Sequence, residues 1–317
     1  MPVREKSLID RIRRSSSRGP GIAIGIGDDC AVLRIPSGHE LLVTTDFTLE
    51  NVHFRRNWHA PEVVGWRCLT RGLSDIAAMG GVPRAAFLSL ALDRAVPQKW
   101  VNRFTSGLLE AAKEFRVPLA GGDTAQSDGG IQADIVLVGS VPRGTAVLRS
   151  GARPGDAIYV TGALGGSAAA LEELRKGKVR PSDFSRHFHP TARVRVGQWL
   201  RGRGLASAMI DVSDGFSTDL SHICEESGVG AVIEAAAIPR ARVGRPLQPV
   251  TLDMTLHGGE DYELLFTSSA PIPPNVAGVP VSRVGRITRK RGMMLVGEDQ
   301  RLHKLAAQGW EHFSPHP

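Results

Sequence analysis

Apolar residues recur along this chain at two spacings, and the switches between them mark out its elements. Leu8, Ile9 and Ile12 share one face of a short helix over Ser7–Arg14, with Ser7 placed to cap it. The Ser- and Gly-rich stretch 15–21 reads as a loop. Ile22-Ala23-Ile24 leads a strand into Gly25–Asp29, Ala31-Val32-Leu33 leaves it, and Glu40–Asp46 is a second strand after the turn at Pro36-Ser37-Gly38. Val63, Val64, Trp66, Cys68, Leu69 and Leu73 then repeat at helical spacing and predict a long helix from Pro61 to Met79. A strand (Ala85–Leu92), a helix (Trp100–Phe115) and two more strands (Val117–Ala120, Ala133–Val141) complete a βαββαβ-like layer.

The pattern pauses between Pro142 and Arg149, which divides the chain into an N-terminal domain over 1–143 and a C-terminal domain over 144–317. A length of 317 residues suits two cores of about 150 residues each. Beyond the boundary, Ala157–Gly162 is a strand that runs into a Gly-rich turn and a helix from Ser167. The turn Gly162–Ser167 is either a phosphate cradle at a helix N-terminus or a packing turn. It lacks the G-x-G-x-x-G spacing, and no G-x-x-x-x-G-K-[ST] occurs. Ala206–Val212 reads as a buried strand, Asp219–Ser227 as a helix, and Leu256–Phe266 as a turn entering another strand. The tail Gln308–Phe313 is too aromatic for a simple disordered end.

Composition narrows the setting. No apolar run approaches the roughly 18 residues that cross a membrane, and the N-terminus carries an amphipathic pattern rather than a signal-peptide core. Cys30, Cys68 and Cys224 are far apart and odd in number, which points to a reducing cytoplasm. The net charge of +7 offers Arg11–Arg14 and Arg289–Arg291 as nucleic-acid patches, but neither interleaves with aromatics. Both read as solvated surface, and the positive balance suits phosphate substrates; neither nucleic acid nor membrane is expected as a partner. His187 and His189, without a third ligand nearby, read as surface residues rather than a zinc site.

The chemistry lies in a repeated move: an apolar run ends in small residues and then a carboxylate. It occurs at Gly25-Ile26-Gly27-Asp28-Asp29-Cys30, Thr44-Thr45-Asp46, Leu73-Ser74-Asp75, Ala120-Gly121-Gly122-Asp123 and Asp211-Val212-Ser213-Asp214-Gly215. Two unscreened carboxylates about 4 Å apart repel by about 4 kcal/mol at an effective dielectric near 20. A rim carrying several needs divalent cations, and oxygen donors without thiolate or imidazole suit Mg²⁺.

These motifs, with Val52-His53-Phe54, Arg149-Ser150-Gly151-Ala152-Arg153-Pro154-Gly155-Asp156 and Gly258-Gly259-Glu260-Asp261-Tyr262-Glu263-Leu264, resemble those of the thiamine-monophosphate kinases in order and over nearly the whole chain. The resemblance implies an α/β fold of two domains, with the N-terminal sheet pairing across a homodimer and a C-terminal domain completing the active site. It implies ATP-dependent phosphorylation of thiamine monophosphate. It implies Mg²⁺ ligands at Asp29, Thr44, Thr45, Asp46, Asp75, Asp123, Asp211 and Asp214, and ATP contacts at Gly122, Asp123, Arg149 and Ser213. Substrate falls to His53, Glu260 and Trp310, and catalytic roles to Asp75, Asp211 and Arg149. The alternative is another ATP-using enzyme of the same superfamily, acting on a purine-pathway intermediate. Asp46–Asn51, Arg67 and Gly72 depart from the usual pattern, which bears on the substrate pocket rather than the metal ligands.

Overall fold

In the computed structural model, which describes residues 5–16, 19, 21–26, 30–177, 179–297 and 299–311, the first apolar stripe forms α1 (Glu5–Ser15) and buries Leu8 and Ile12. The chain divides into two units: Met1–Ile76 with Gly81–Thr145, and Ala77–Gly80 with Ala146–Pro317.

In the first unit, β1 (Ile22–Ile24) and β2 (Val32–Leu33) pair as an antiparallel hairpin. Most of the strand expected over Gly25–Asp29 falls on Gly27, Asp28 and Asp29, which lie outside the described residues. There follow β3 (His39–Leu49), α2 (Pro61–Ala78), β4 (Val82–Leu92), α3 (Gln98–Glu114), β5 (Leu119–Gln126) and β6 (Gln132–Pro142). The four long strands form a sheet in the order β3-β6-β4-β5. β4 and β5 are parallel, joined through α3 as parallel neighbours require, and the other pairs are antiparallel.

Two strands run past their expected carboxylate ends. Asp46 pairs with Ile135 inside β3, and Asp123 pairs with Ser89 inside β5. Ladder bonds use backbone N–H and C=O groups, so a polar side chain does not stop a strand whose neighbour continues. Along β3 the burial alternates: Leu41, Val43, Thr45 and Phe47 are exposed, while Leu42, Thr44, Asp46 and Thr48 turn to the other face. Helix α2 is buried along nearly its whole length and lies backbone-to-backbone on α3. A Cβ on Gly65 would sit 2.0 Å from the Phe104 carbonyl oxygen, and one on Gly107 would sit 1.9 Å from that of Glu62. Only glycine permits that crossing, which fixes the helix that carries Asp75.

The second unit contains β7 (Ala157–Thr161), α4 (Gly166–Arg175), α5 (Ser185–Phe188), α6 (Val194–Gly202), β8 (Ala208–Asp211), α7 (Phe216–Ser227) and β9 (Gly230–Glu234). A small hairpin of β10 (Arg242–Val243) and β11 (Gln248–Pro249) precedes α8 (Leu252–His257) and β12 (Leu264–Ser268). β13 (Asn275–Val276), β14 (Val279–Thr288), β15 (Gly292–Val296) and β16 (Leu302–Leu305) end it. Its sheet runs β16-β15-β9-β14-β7-β12-β8, with β13 on β14. Ile158, Val160, Ile210, Phe216, Leu220 and Leu265 belong to the core beneath.

Three buried polar groups settle readings left open by the sequence. Asp261 accepts the Gly165 and Ser167 N–H groups at 2.6 and 3.3 Å, so the helix N-terminus offered as a phosphate cradle holds an internal carboxyl. Glu263 is fully buried and takes Arg186 at 2.6 Å, Arg193 Nε at 2.6 Å and the Thr161 hydroxyl at 2.5 Å. His187, expected on the surface, is 2% exposed, hydrogen-bonded to Ser167 Oγ at 2.8 Å and edge-on to Phe188. Its alternation with polar neighbours hid a packed position; His189 is exposed.

Burial pushes the Asp261 carboxyl up to about 7, against its backbone donors. The folded state then holds a proton that the unfolded chain gives up above the ordinary Asp range, so this contribution to stability is complete below about pH 4 and is lost as pH rises through about 7. We expect the Tm to fall between pH 5 and 8, and to fall less in Asp261→Asn, as followed by scanning calorimetry. Equal pH slopes would remove Asp261 as the cause.

Candidate active site

In the first unit, α2 presents two side chains to the inner face of β3. Thr44 donates from Oγ1 to Asp75 Oδ2, and Arg71 Nε donates to Asp46 Oδ1 at 2.9 Å. Arg71 lies one turn before Asp75 on the same helix face, a spacing that could have flagged it. Thr45 points to the opposite face of β3, so its hydroxyl does not join this group. Within the sheet, Asp46 and Gly122 are joined by register through Ile135 and Leu88. Three strand spacings, about 14 Å, separate their backbones, too far for one ion to touch Asp46 and Asp123 of the same chain.

Gly122 and Asp123 line a cavity of about 630 Å³ together with Gly25, Ile26, Cys30 and Ala31. Its walls are Ile9, Ile12, Phe87, Leu88, Leu90 and Leu119, a largely apolar lining in which Asp123 is the one carboxylate among the described residues. A Cβ on Gly122 would meet the Leu88 carbonyl oxygen at 2.0 Å. Asp123 Oδ1 accepts the Thr124 N–H at 2.8 Å. Asp29, the first expected metal ligand, lies outside the described residues although its neighbours border this cavity.

His53 sits in a loop closed by Asn51 N–H to the Phe54 carbonyl at 2.7 Å and His53 N–H to the Leu49 carbonyl at 2.9 Å. Its Nδ1 accepts the Leu49 N–H at 3.0 Å, which puts the proton of the neutral ring on Nε2. Phe54 is buried and stacks on Trp100, and Glu50 ties the loop to β6 by accepting the Ile131 N–H at 3.1 Å and pairing with Arg56 at 2.5 Å. Glu50 was not singled out by the sequence, since nothing local shows a contact with Ile131.

In the second unit one turn gathers most of the expected residues. Asp211, 3% exposed, ends β8, and Ser213 and Asp214 follow before α7. Glu260, held at φ 62°, donates its N–H to the Ser213 carbonyl at 2.7 Å. Trp310 donates its N–H to the Asp214 carbonyl at 2.9 Å, and the Gly309 N–H reaches Thr218 Oγ1 at 2.9 Å. The tail is thus pinned by its backbone while the indole stays 40% exposed. Asp219, overlooked in the sequence, is 1% exposed and lies behind this turn. Burial, then the charges of Asp211 and Asp214, push its carboxyl well above the ordinary range. Its position in the first turn of a helix that follows Ser-Asp-Gly was the available signal.

Arg149 is the exception. Its side chain is exposed and its carbonyl accepts from Ser227 Oγ at 3.0 Å, at the C-terminal end of α7. About 15 Å of helix therefore lies between its backbone and the Ser213–Gly215 turn.

The donors fit Mg²⁺ in kind, being carboxylate and hydroxyl oxygens throughout. Among the described residues no group of three His, Cys, Asp or Glu stands close enough to hold an ion alone.

The chain matches the AIR synthase related protein N-terminal domain over residues 27–141 and the corresponding C-terminal domain over 153–310. It is 36% identical to the thiamine-monophosphate kinase of Escherichia coli strain K12 over 334 aligned positions, covering 99% of each chain. It is 35% identical to that of Haemophilus influenzae, covering 92% of each. The chain belongs to the thiamine-monophosphate kinase family. The thiamine-monophosphate kinase of Stenotrophomonas maltophilia K279a superposes with a TM-score of 0.82 at 34% identity, covering 94% of this chain and 98% of that one. AaThiL complexed with AMPPCP and TMP superposes at 0.77 with 32% identity, covering 98% and 97%. The two-domain α/β fold expected from the sequence is therefore the fold of the thiamine-monophosphate kinases.

Close backbone approach at Gly122 is a testable requirement of this family member's first unit. Gly122→Ala should cost about 1–3 kcal/mol by overpacking β5 on β4 and lower the Tm by several degrees. Gly129→Ala, whose nearest neighbour atom would lie 3.5 Å away, should leave it unchanged. Equal Tm values for the two variants would show that the strands part freely at Gly122.

Proposed function

We propose that this chain transfers the γ-phosphoryl group of ATP directly to thiamine monophosphate, giving thiamine diphosphate and ADP. The observation that carries this is the Asp211–Gly215 turn, with Glu260 and Trp310 bonded to its backbone, in a chain alike over nearly its full length to a protein solved with AMPPCP and TMP. The bond formed is between a substrate phosphate oxygen and the γ-phosphorus; the bond broken joins that phosphorus to the β,γ-bridging oxygen. The attacking oxygen is already anionic, so no general base is needed, and the task is to hold polyanions together.

Asp29, Thr44, Asp46, Asp75, Asp123, Asp211 and Asp214 would hold Mg²⁺, as more than one ion, which when bound neutralises phosphate charge; the Thr45 hydroxyl, on the other face of β3, is left out of this set. Asp75 and Asp211 are the carboxylates assigned nearest the chemistry. Gly122 and Asp123, at the rim of the apolar cavity, and Ser213 receive the nucleotide. Arg149, distant from the Ser213–Gly215 turn along α7, fits a contact to the nucleotide better than one to the group in transfer. His53 serves the substrate phosphate, while Glu260 and the partly exposed Trp310 suit the cationic thiazolium.

A homodimer belongs to this reading. Leu41, Val43 and Phe47 expose 52, 63 and 57% of their surface on one face of edge strand β3, an apolar patch suited to a protein partner. Thr45 lies on that same face, so a second chain there would adjoin it. A cytoplasmic setting suits an ATP-dependent enzyme with three unpaired cysteines, and no described helix is long and apolar enough to cross a membrane.

Incubation with ATP, Mg²⁺ and thiamine monophosphate should yield thiamine diphosphate and ADP in equal amounts by chromatography, and exhaustive chelation should abolish both. Full turnover without divalent metal would sink the Mg²⁺ assignment, and ADP released only with a purine-pathway intermediate would replace the substrate. An indole over a cation contributes about 0.5–2 kcal/mol, so Trp310→Ala should weaken thiamine-monophosphate binding by roughly twofold to thirtyfold with little change for ATP. Equal losses for both ligands in calorimetric titration would assign Trp310 to packing.

A further inference from the structure

Three successive amides of the Asp211–Gly215 turn point inward at one atom. Ser213, Asp214 and Gly215 donate their N–H groups to Asp219 Oδ2 at 3.1, 3.2 and 3.1 Å. Such a concave run of N–H groups is ordinarily a place for an external anion. Here the site is filled from within, by the carboxyl of Asp219, a residue that is 1% exposed and whose backbone N–H donates to the Gly215 carbonyl at 3.0 Å. With the three amides turned inward, the carbonyls of Ser213 and Asp214 face the opposite way, where they receive the Glu260 N–H at 2.7 Å and the Trp310 N–H at 2.9 Å. One buried oxygen therefore sets the backbone that carries Asp214 and seats two residues of the substrate side.

We propose that Asp219 is a positioning residue for the phosphoryl transfer, fixing the turn so that Asp211 and Asp214 present their oxygens to cations while Glu260 and Trp310 stay in register with them. This rests on the functional reading above. Asp219 itself touches neither ligand; it acts through the turn. Misplacement of the order of 1 Å in such a site costs about a hundredfold in rate.

The test measures kcat, KM and the binding of Mn²⁺ to the unliganded enzyme by electron paramagnetic resonance, in wild type, Asp219→Ala, Asp219→Glu and Asp219→Asn. Asp219→Ala removes the acceptor. It should lower kcat by about tenfold to a hundredfold and weaken Mn²⁺ binding by several-fold, while the KM for ATP stays within about threefold. Asp219→Asn keeps an acceptor oxygen in the same place and should recover most of the lost rate. Asp219→Glu keeps the carboxyl but moves its oxygen by one methylene, and should show the same kcat loss as the alanine variant; it also serves if Asp219→Ala does not fold. A folded Asp219→Ala or Asp219→Glu with wild-type kcat and Mn²⁺ affinity, or with a lower Tm as its sole change, overturns the proposal. If the wild type makes no thiamine diphosphate, the functional reading fails by itself. The Mn²⁺ affinities of the variants still decide what Asp219 does.

Discussion

A carboxyl group taken out of water must find hydrogen-bond donors or give up its charge, and most of the organisation seen here answers that demand. Glu263 is met by two arginines and a threonine hydroxyl, Asp261 by two amides at the start of α4, and Asp219 by three amides ahead of α7. Each answer fastens a loop to an element distant in sequence: Glu263 and Asp261 bind the 258–264 segment to β7, α4, α5 and the N-cap of α6, and Asp219 closes the turn behind Asp211. In the first unit Arg71 does the same for Asp46 and Thr44 for Asp75, tying α2 to β3.

The carboxylates proposed for chemistry lie beside this network, from the buried Asp211 to the half-buried Asp46, Asp75 and Asp214. This separates two roles that look alike in composition. Asp211 and Asp214 are the carboxylates proposed to present oxygens, while Asp219, five residues beyond Asp214, accepts the N–H groups of the turn between them and α7. A phosphoryl transfer between anions needs rigid placement more than acid–base groups, and buried carboxyl–amide bonds supply rigidity at little cost in mobile side chains.

Motif residues were legible because their chemistry is local. Asp75, Asp123, Asp211 and Glu260 stand in patterns that survive without knowledge of the fold, and the long helix carrying Asp75 shows in its apolar spacing. Strand ends were misplaced at Asp46 and Asp123 because polarity was taken as a stop, whereas ladder bonding depends on the neighbouring strand. β14 escaped notice for a related reason: its register shifts between Arg283 and Gly285, so the alternation that marks a strand changes phase midway. His187 was assigned to the surface because a two-residue spacing among basic neighbours says nothing about Ser167 and Phe188, which bury it.

By itself the sequence determined the two-domain α/β class and the helices with regular apolar faces, and it nominated the oxygen donors, since each follows from residue type and short-range spacing. Only the tertiary structure decided which donors meet. It turned Thr45 away from Thr44 and Asp46, held Arg149 at the far end of α7 from Ser213, filled the α4 N-terminus with Asp261, and set Asp219 behind the Asp211–Gly215 turn. These outcomes depend on strand register and on hydrogen bonds between residues far apart in the chain, which no local pattern encodes.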